Sequence, residues 1–137
     1  MVDMQINGAT RSRLMTVGLA PAAALAAWGI ERSLGADLVL KDGTTVGAGN
    51  VVLAAVIGAV AAWFVVRWIE RHSSRPRAVW AFVGSTGLAV SGIGPSWLAD
   101  GATALLLFGL HFVTAVVVIA GFMRTLPVPD CVPVSET

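Results

Sequence analysis

The chain has 137 residues, 56% of them hydrophobic and only 12% charged, with a net charge of +1. An ordinary soluble domain carries roughly 25% charged residues, so this composition excludes a water-covered globular surface and describes a membrane protein. So small a charge offers nothing to a nucleic acid, and the lone cysteine, Cys131, allows neither a disulfide framework nor a cysteine metal site.

In chain order, Arg11 and Arg13 precede a first apolar run, and a membrane helix is predicted over 14–34. The run contains Ala-x-Ala sites within APAAALAAW, but it is nearer to spanning length than to a signal-peptide h-region, so it reads as a retained helix. Gly18, Ala22, Ala26 and Gly29 recur at helical spacing and predict a face for close helix approach. Pro21 predicts a bend. Arg32 in the last turn reads as an interface anchor, and Glu31 either as a solvated or paired carboxylate or as a group turned inward. Gly35 stands where the helix should stop.

The segment GADLVLKDGTTVGAGN follows. Leu38 to Leu40 and Thr44 to Val46 flank Asp42-Gly43, which predicts a short hairpin-like loop serving as a connector or a docking surface. A second span is predicted over 51–69, with Asn50 as its cap and Ala54, Gly58 and Ala62 as a small-residue face. A third is predicted over 78–98. Along it Gly84, Gly87, Ser91 and Gly94 form a groove nearly free of side chains, which either packs tightly or leaves room for a lipid tail, a quinone-like ring or a partner helix. Pro95 predicts a break or kink near its end.

Asp100 can cap a fourth span over 102–123, and His111 stands near its middle. A polar group at that depth needs a partner, which predicts a neutral ring bonded to Ser85, Thr86 or Ser91, or to a carbonyl freed at Pro95. His111 therefore reads as a polar clasp between helices or as a polar contact for a ligand. Haem ligation is the weakest reading, because His72 lies about 15 Å away in depth at about 1.5 Å per residue. No metal or other cofactor is expected. The tail, 125–137, is proline-rich and predicted to be flexible, leaving 1–124 as the transmembrane domain.

Basic residues set the expected orientation. Seven arginines (Arg11, Arg13, Arg67, Arg71, Arg75, Arg77 and Arg124) flank one side of the four spans, and only Arg32 and Lys41 the other. Both termini are thus expected in the cytoplasm, with the hairpin-like loop extracytoplasmic. Trp68 and Trp80 are expected at the inner interface and Trp97 at the outer one, while Trp28 and Trp63 read as packing residues. The expected fold is an all-α integral membrane four-helix bundle in a bacterial plasma membrane.

No paired intramembrane carboxylates, phosphate loop or Ser/His/Asp set can assemble, so an enzyme is not expected. The leading expectation is an accessory or scaffold protein that associates with another membrane protein, or with a second copy of itself, through its small-residue faces. The alternative is a binder or carrier of a small apolar molecule, lipid or quinone-like, beside His111. Contact residues under either reading are His111, Gly84, Gly87, Ser91, Gly94 and Glu31. A transporter ranks third, since no broken-helix pair or chain of acids lines a path.

The order of ADLVLKDGTTVGAGNVVLAAVIGAVAAW, RPRAVW, GIGPSW and GLHFVTAVVVIAGFMR resembles a family of small four-span actinobacterial membrane proteins of unknown function. The resemblance covers all but the tail. It implies the fold without an activity, and it implies that the histidine of the fourth span belongs to the family pattern.

Overall fold

The computed structural model describes residues 2–127, with side chains from residue 8 onward. Helices α1 (Val2–Ser33), α2 (Ala48–His72), α3 (Pro76–Ser91), α4 (Gly94–Leu98) and α5 (Gly101–Met123) follow one another. With α3 and α4 taken together, four stretches are long and apolar enough to cross a membrane: Gly8–Ser33, Ala48–His72, Pro76–Leu98 and Gly101–Met123. The all-α, four-helix architecture expected of a membrane protein is present. Among the described residues there is no strand, only an isolated bridge between Val39 and Thr45.

Helix ends follow local chemistry. At the end of α1, Gly35 takes φ +82, and the Gly35 and Ala36 N–H groups donate to Arg32 O and Glu31 O at 3.1 Å each. That is a Schellman stop, and glycine supplies the left-handed backbone it needs. Pro95 has no N–H to give to Ser91, four residues earlier, and its ring crowds that carbonyl. Accordingly α3 stops at Ser91, and α4 restarts with Pro95 in its first turn. Asn50 does not cap α2: the N-cap is Gly47, in extended conformation, and Asn50 lies three residues inside the helix. Asp100 is the N-cap residue of α5, but its side chain makes no capping bond and pairs with Lys41 Nζ at 3.0 Å instead.

The loop between α1 and α2 is hairpin-like. Leu40 N–H donates to Thr44 O at 2.9 Å, Val46 N–H to Leu38 O at 2.8 Å, and Gly43 N–H to Leu40 O at 2.9 Å. Gly43, at φ +82, takes the left-handed position that this turn requires. The loop then docks on the bundle through Lys41 N–H to Leu98 O at 2.9 Å and Trp28 Nε1–H to Val46 O at 3.0 Å.

Helix α1 packs against both α2 and α5, and α3 packs against α5, whereas α2 and α3 touch little beyond their short junction. Three sides of the square are therefore closed, and the fourth parts toward the loop end. The closed, arginine-rich end holds the core: Ala20, Ala59, Val66, Ile69, Trp80, Val118, Phe122 and Leu126. Trp80, expected at an interface, is only 3% exposed; its Nε1–H donates to Ile119 O at 3.1 Å and its ring meets Phe122 edge-on. Leu126, placed by the sequence in the tail, packs into this core. The remainder of that tail from residue 128, Cys131 included, lies outside the described residues.

The small-residue faces are not where spacing put them. Gly18, Ala22 and Ala26 are exposed, and the buried face of α1 is Arg13, Thr16, Ala20 and Ala24. Both series have helical period, and only the partner helices choose between them.

Candidate functional site

Where α2 and α3 diverge, a cavity of about 670 Å³ opens in the side of the bundle. Small residues of both helices line it, facing Leu107, Leu110, Val118 and Ile119 of α5. Ala54, Gly58 and Ala62 of α2 face it rather than a helix, and a Cβ at Gly58, Gly87 or Gly94 would meet nothing within 4 Å. Trp80 bounds it toward the closed end, and Leu40, Val46 and Leu98 roof it beneath the hairpin-like loop.

Five of the residues singled out from sequence, Gly84, Gly87, Ser91, Gly94 and His111, line this one space. Gly84 also has a packing role, since a Cβ there would come within 3.0 Å of Ile119 Cγ1. His111 finds one of its expected partners, with Nε2 at 2.7 Å from Ser91 Oγ, and Ser91 Oγ lies 2.5 Å from Gly87 O. The pair joins α3 to α5 on a mostly apolar wall that also carries Asn50 and Thr114. The break between α3 and α4 borders the site, with Ser91, Gly94 and Pro95 all in its lining.

Glu31 is separate. It is not among the lining residues; its Oε1 stands 3.8 Å from where a Cβ on Gly109 would be, and Oε2 is buried without a hydrogen-bond partner. Residues 109 and 111 are about 200° apart around α5, so Glu31 and His111 address opposite faces. One carboxylate oxygen, Oε2, is thus turned inward without a partner, while the residue as a whole is half-buried. Its neighbour Arg32 is engaged elsewhere, 5.6 Å over the Trp28 ring and 3.4 Å from Asp37.

In the roof, the Asp42 carboxylate accepts the Thr44 N–H at 2.9 Å, and this bond holds its pKa below the ordinary aspartate value. Lys41 ties the roof to α4 and α5 through Ser96 O at 3.3 Å and Asp100 at 3.0 Å.

Sequence reasoning missed the clasp opposite the cavity. Arg13 is 5% exposed and holds Glu70 with both terminal nitrogens, Nη1 to Oε2 at 3.0 Å and Nη2 to Oε1, while Nε–H donates to Thr125 Oγ1 at 3.2 Å. A signal was present. Glu70 is the only acid between residues 43 and 99, and Arg13 precedes Thr16, Ala20 and Ala24 at helical spacing. Counting arginines for topology concealed it.

With a roomy, largely apolar interior and the Ser91–His111 pair on its side, the cavity is suited to hold and orient an amphipathic molecule. Nearly the whole chain, residues 5–128, matches a family model described as "Family of unknown function (DUF6069)". No curated protein and no solved structure matches it.

Proposed function

The chain belongs to the DUF6069 family, and we propose that it binds or carries a small apolar molecule inside the bilayer, with His111 as the polar contact. The observation that carries this reading is the 670 Å³ cavity walled by small residues, with the Ser91–His111 pair on its side. Ligand sites of about 300–1,000 Å³ with few polar groups are the usual form. In mild detergent, native mass spectrometry is expected to find a bound apolar species. It should be lost in Gly87→Leu, which fills open space, while helicity and monomer mass persist. Gly87→Leu protein that retains the species at full occupancy sinks the reading.

A second reading, the accessory or scaffold role, rests on the outward stripe of Gly18, Ala22 and Ala26, where a partner helix or a second copy has room to approach. It requires disulfide capture of a neighbour by Ala22→Cys in native membranes. The arginine count adds an orientation, the arginine-rich end facing the cytoplasm of a bacterial plasma membrane. An impermeant thiol reagent should then label Cys131 only in opened cells.

A further inference from the structure

Resting on the cavity reading above, we infer that the bound molecule carries a hydroxyl that donates a hydrogen bond to His111 Nδ1. The ligand class is then an apolar alcohol or phenol, not an ether, ketone or quinone.

One proton decides the polarity of the His111 ring. Ser91 has a single hydroxyl hydrogen, and its Oγ lies 2.5 Å from Gly87 O and 2.7 Å from His111 Nε2. Two oxygens at that separation repel unless a hydrogen lies between them, so the Ser91 proton points at Gly87 O, back along its own helix. Leu88 O, 3.3 Å from the same Oγ, accepts on that side as well. Ser91 therefore meets His111 as an acceptor, and Nε2 is the protonated nitrogen. In the neutral ring, Nδ1 then has a bare lone pair.

His111 lines the cavity, and its Nδ1 has no hydrogen-bond partner among the described residues. The next polar group on the wall has the same polarity. Thr114 donates its hydroxyl proton to Leu110 O at 2.8 Å and has only lone pairs left for the cavity. Asn50, the lining amide, stands in the first turn of α2, nearer the loop. The middle of the cavity thus offers acceptors and asks for a donor. Its 670 Å³ holds about twenty groups of water size at roughly 30 Å³ each.

The test uses the full chain in mild detergent with farnesol and farnesyl methyl ether, read by native mass spectrometry and titration. Farnesol should bind about tenfold more tightly, the effect of one hydrogen bond in an apolar site. Decylubiquinol and decylubiquinone form a second matched pair that separates phenols from alcohols; preference for the reduced member supports the inference. In Ser91→Ala the ring is free to exchange tautomer, and the preference should shrink to about twofold. Nitrogen chemical shifts of His111 should show the proton on Nε2. A proton on Nδ1, or on both nitrogens, overturns the inference. So does an ether that binds as well as the alcohol; if that binding is lost in Gly87→Leu, the cavity reading stands alone. If no probe binds, both fall.

Discussion

Asp42 and Glu31 are carboxylates near the same end of the bundle, and only Asp42 is met by a backbone donor. Asp42 lies in the exposed turn and accepts the Thr44 N–H at 2.9 Å, which favours its ionised form. The sign follows directly: a carboxyl whose folded pKa is lowered stabilises the turn above the unfolded pKa, about 3.9, and that contribution is lost as pH falls through the lower folded value. The Thr44 amide resonance should therefore move with a midpoint below that of a free aspartate, and the movement should vanish in Asp42→Asn. A midpoint at or above the free value contradicts the bond. Glu31 has no such donor: its Oε2 is buried without a hydrogen-bond partner.

Between elements, attraction depends on how closely backbones approach, because lipid tails are as apolar as leucine and apolar burial gains little in the bilayer. The glycines that matter are those with a neighbour against them. A Cβ at Gly121 would overlap the Thr16 side chain, and one at Gly92 would come within 2.8 Å of the Phe108 ring. Thr16 is buried, branched, and bonded through its hydroxyl to Ser12 O at 3.1 Å, so it cannot swing aside. Gly121→Ala should destabilise the bundle by about 1–3 kcal/mol, although alanine is the better helix former by about 1 kcal/mol. Adding Thr16→Ala should restore part of the loss, while Gly18→Ala, with nothing within 4 Å, should stay within about 0.5 kcal/mol of the parent. Reversible unfolding in mixed micelles measures all three. A Gly121→Ala protein as stable as the parent would show that α1 and α5 are not in close contact there.

At the scale of the whole molecule, the two ends have different tasks. The arginine-rich end is shut by a packed core and by Arg13, which ties α1 to Glu70 of α2 and to Thr125 beyond α5. The loop end is held apart around a cavity and roofed by the hairpin-like loop. Opening the first should loosen everything. Arg13→Ala leaves Glu70 without its cation, and breaking such a pair costs about 3–5 kcal/mol. The Glu70 side chain is 25% exposed, so the lower figure applies. Replacing both partners together, Arg13→Met with Glu70→Leu, should cost less than Arg13→Ala alone, since two apolar groups leave no stranded charge. A double variant as unstable as the single one would mean that the pair acts by shape rather than by charge.

Four spans, the stop at Gly35, the break before Pro95, the turn at Asp42-Gly43 and the need of His111 for a hydroxyl or carbonyl partner were all legible in one dimension. Each depends on length, on backbone chemistry within a few residues, or on the need of a deep polar group for a partner. Which small residues make contact was not legible. Gly18, Ala22 and Ala26 share their period with Thr16, Ala20 and Ala24, and a period does not name the face that a neighbour will cover. Nor could spacing show that Arg13 meets Glu70, or that Ala54 and Gly58 face an empty space, because those facts depend on where α2 and α3 part. The order of residues determined by itself that this chain dissolves in a bilayer as four helices. Only tertiary structure decided that their fourth side stays open, because contact between helices depends on the placement of all four at once.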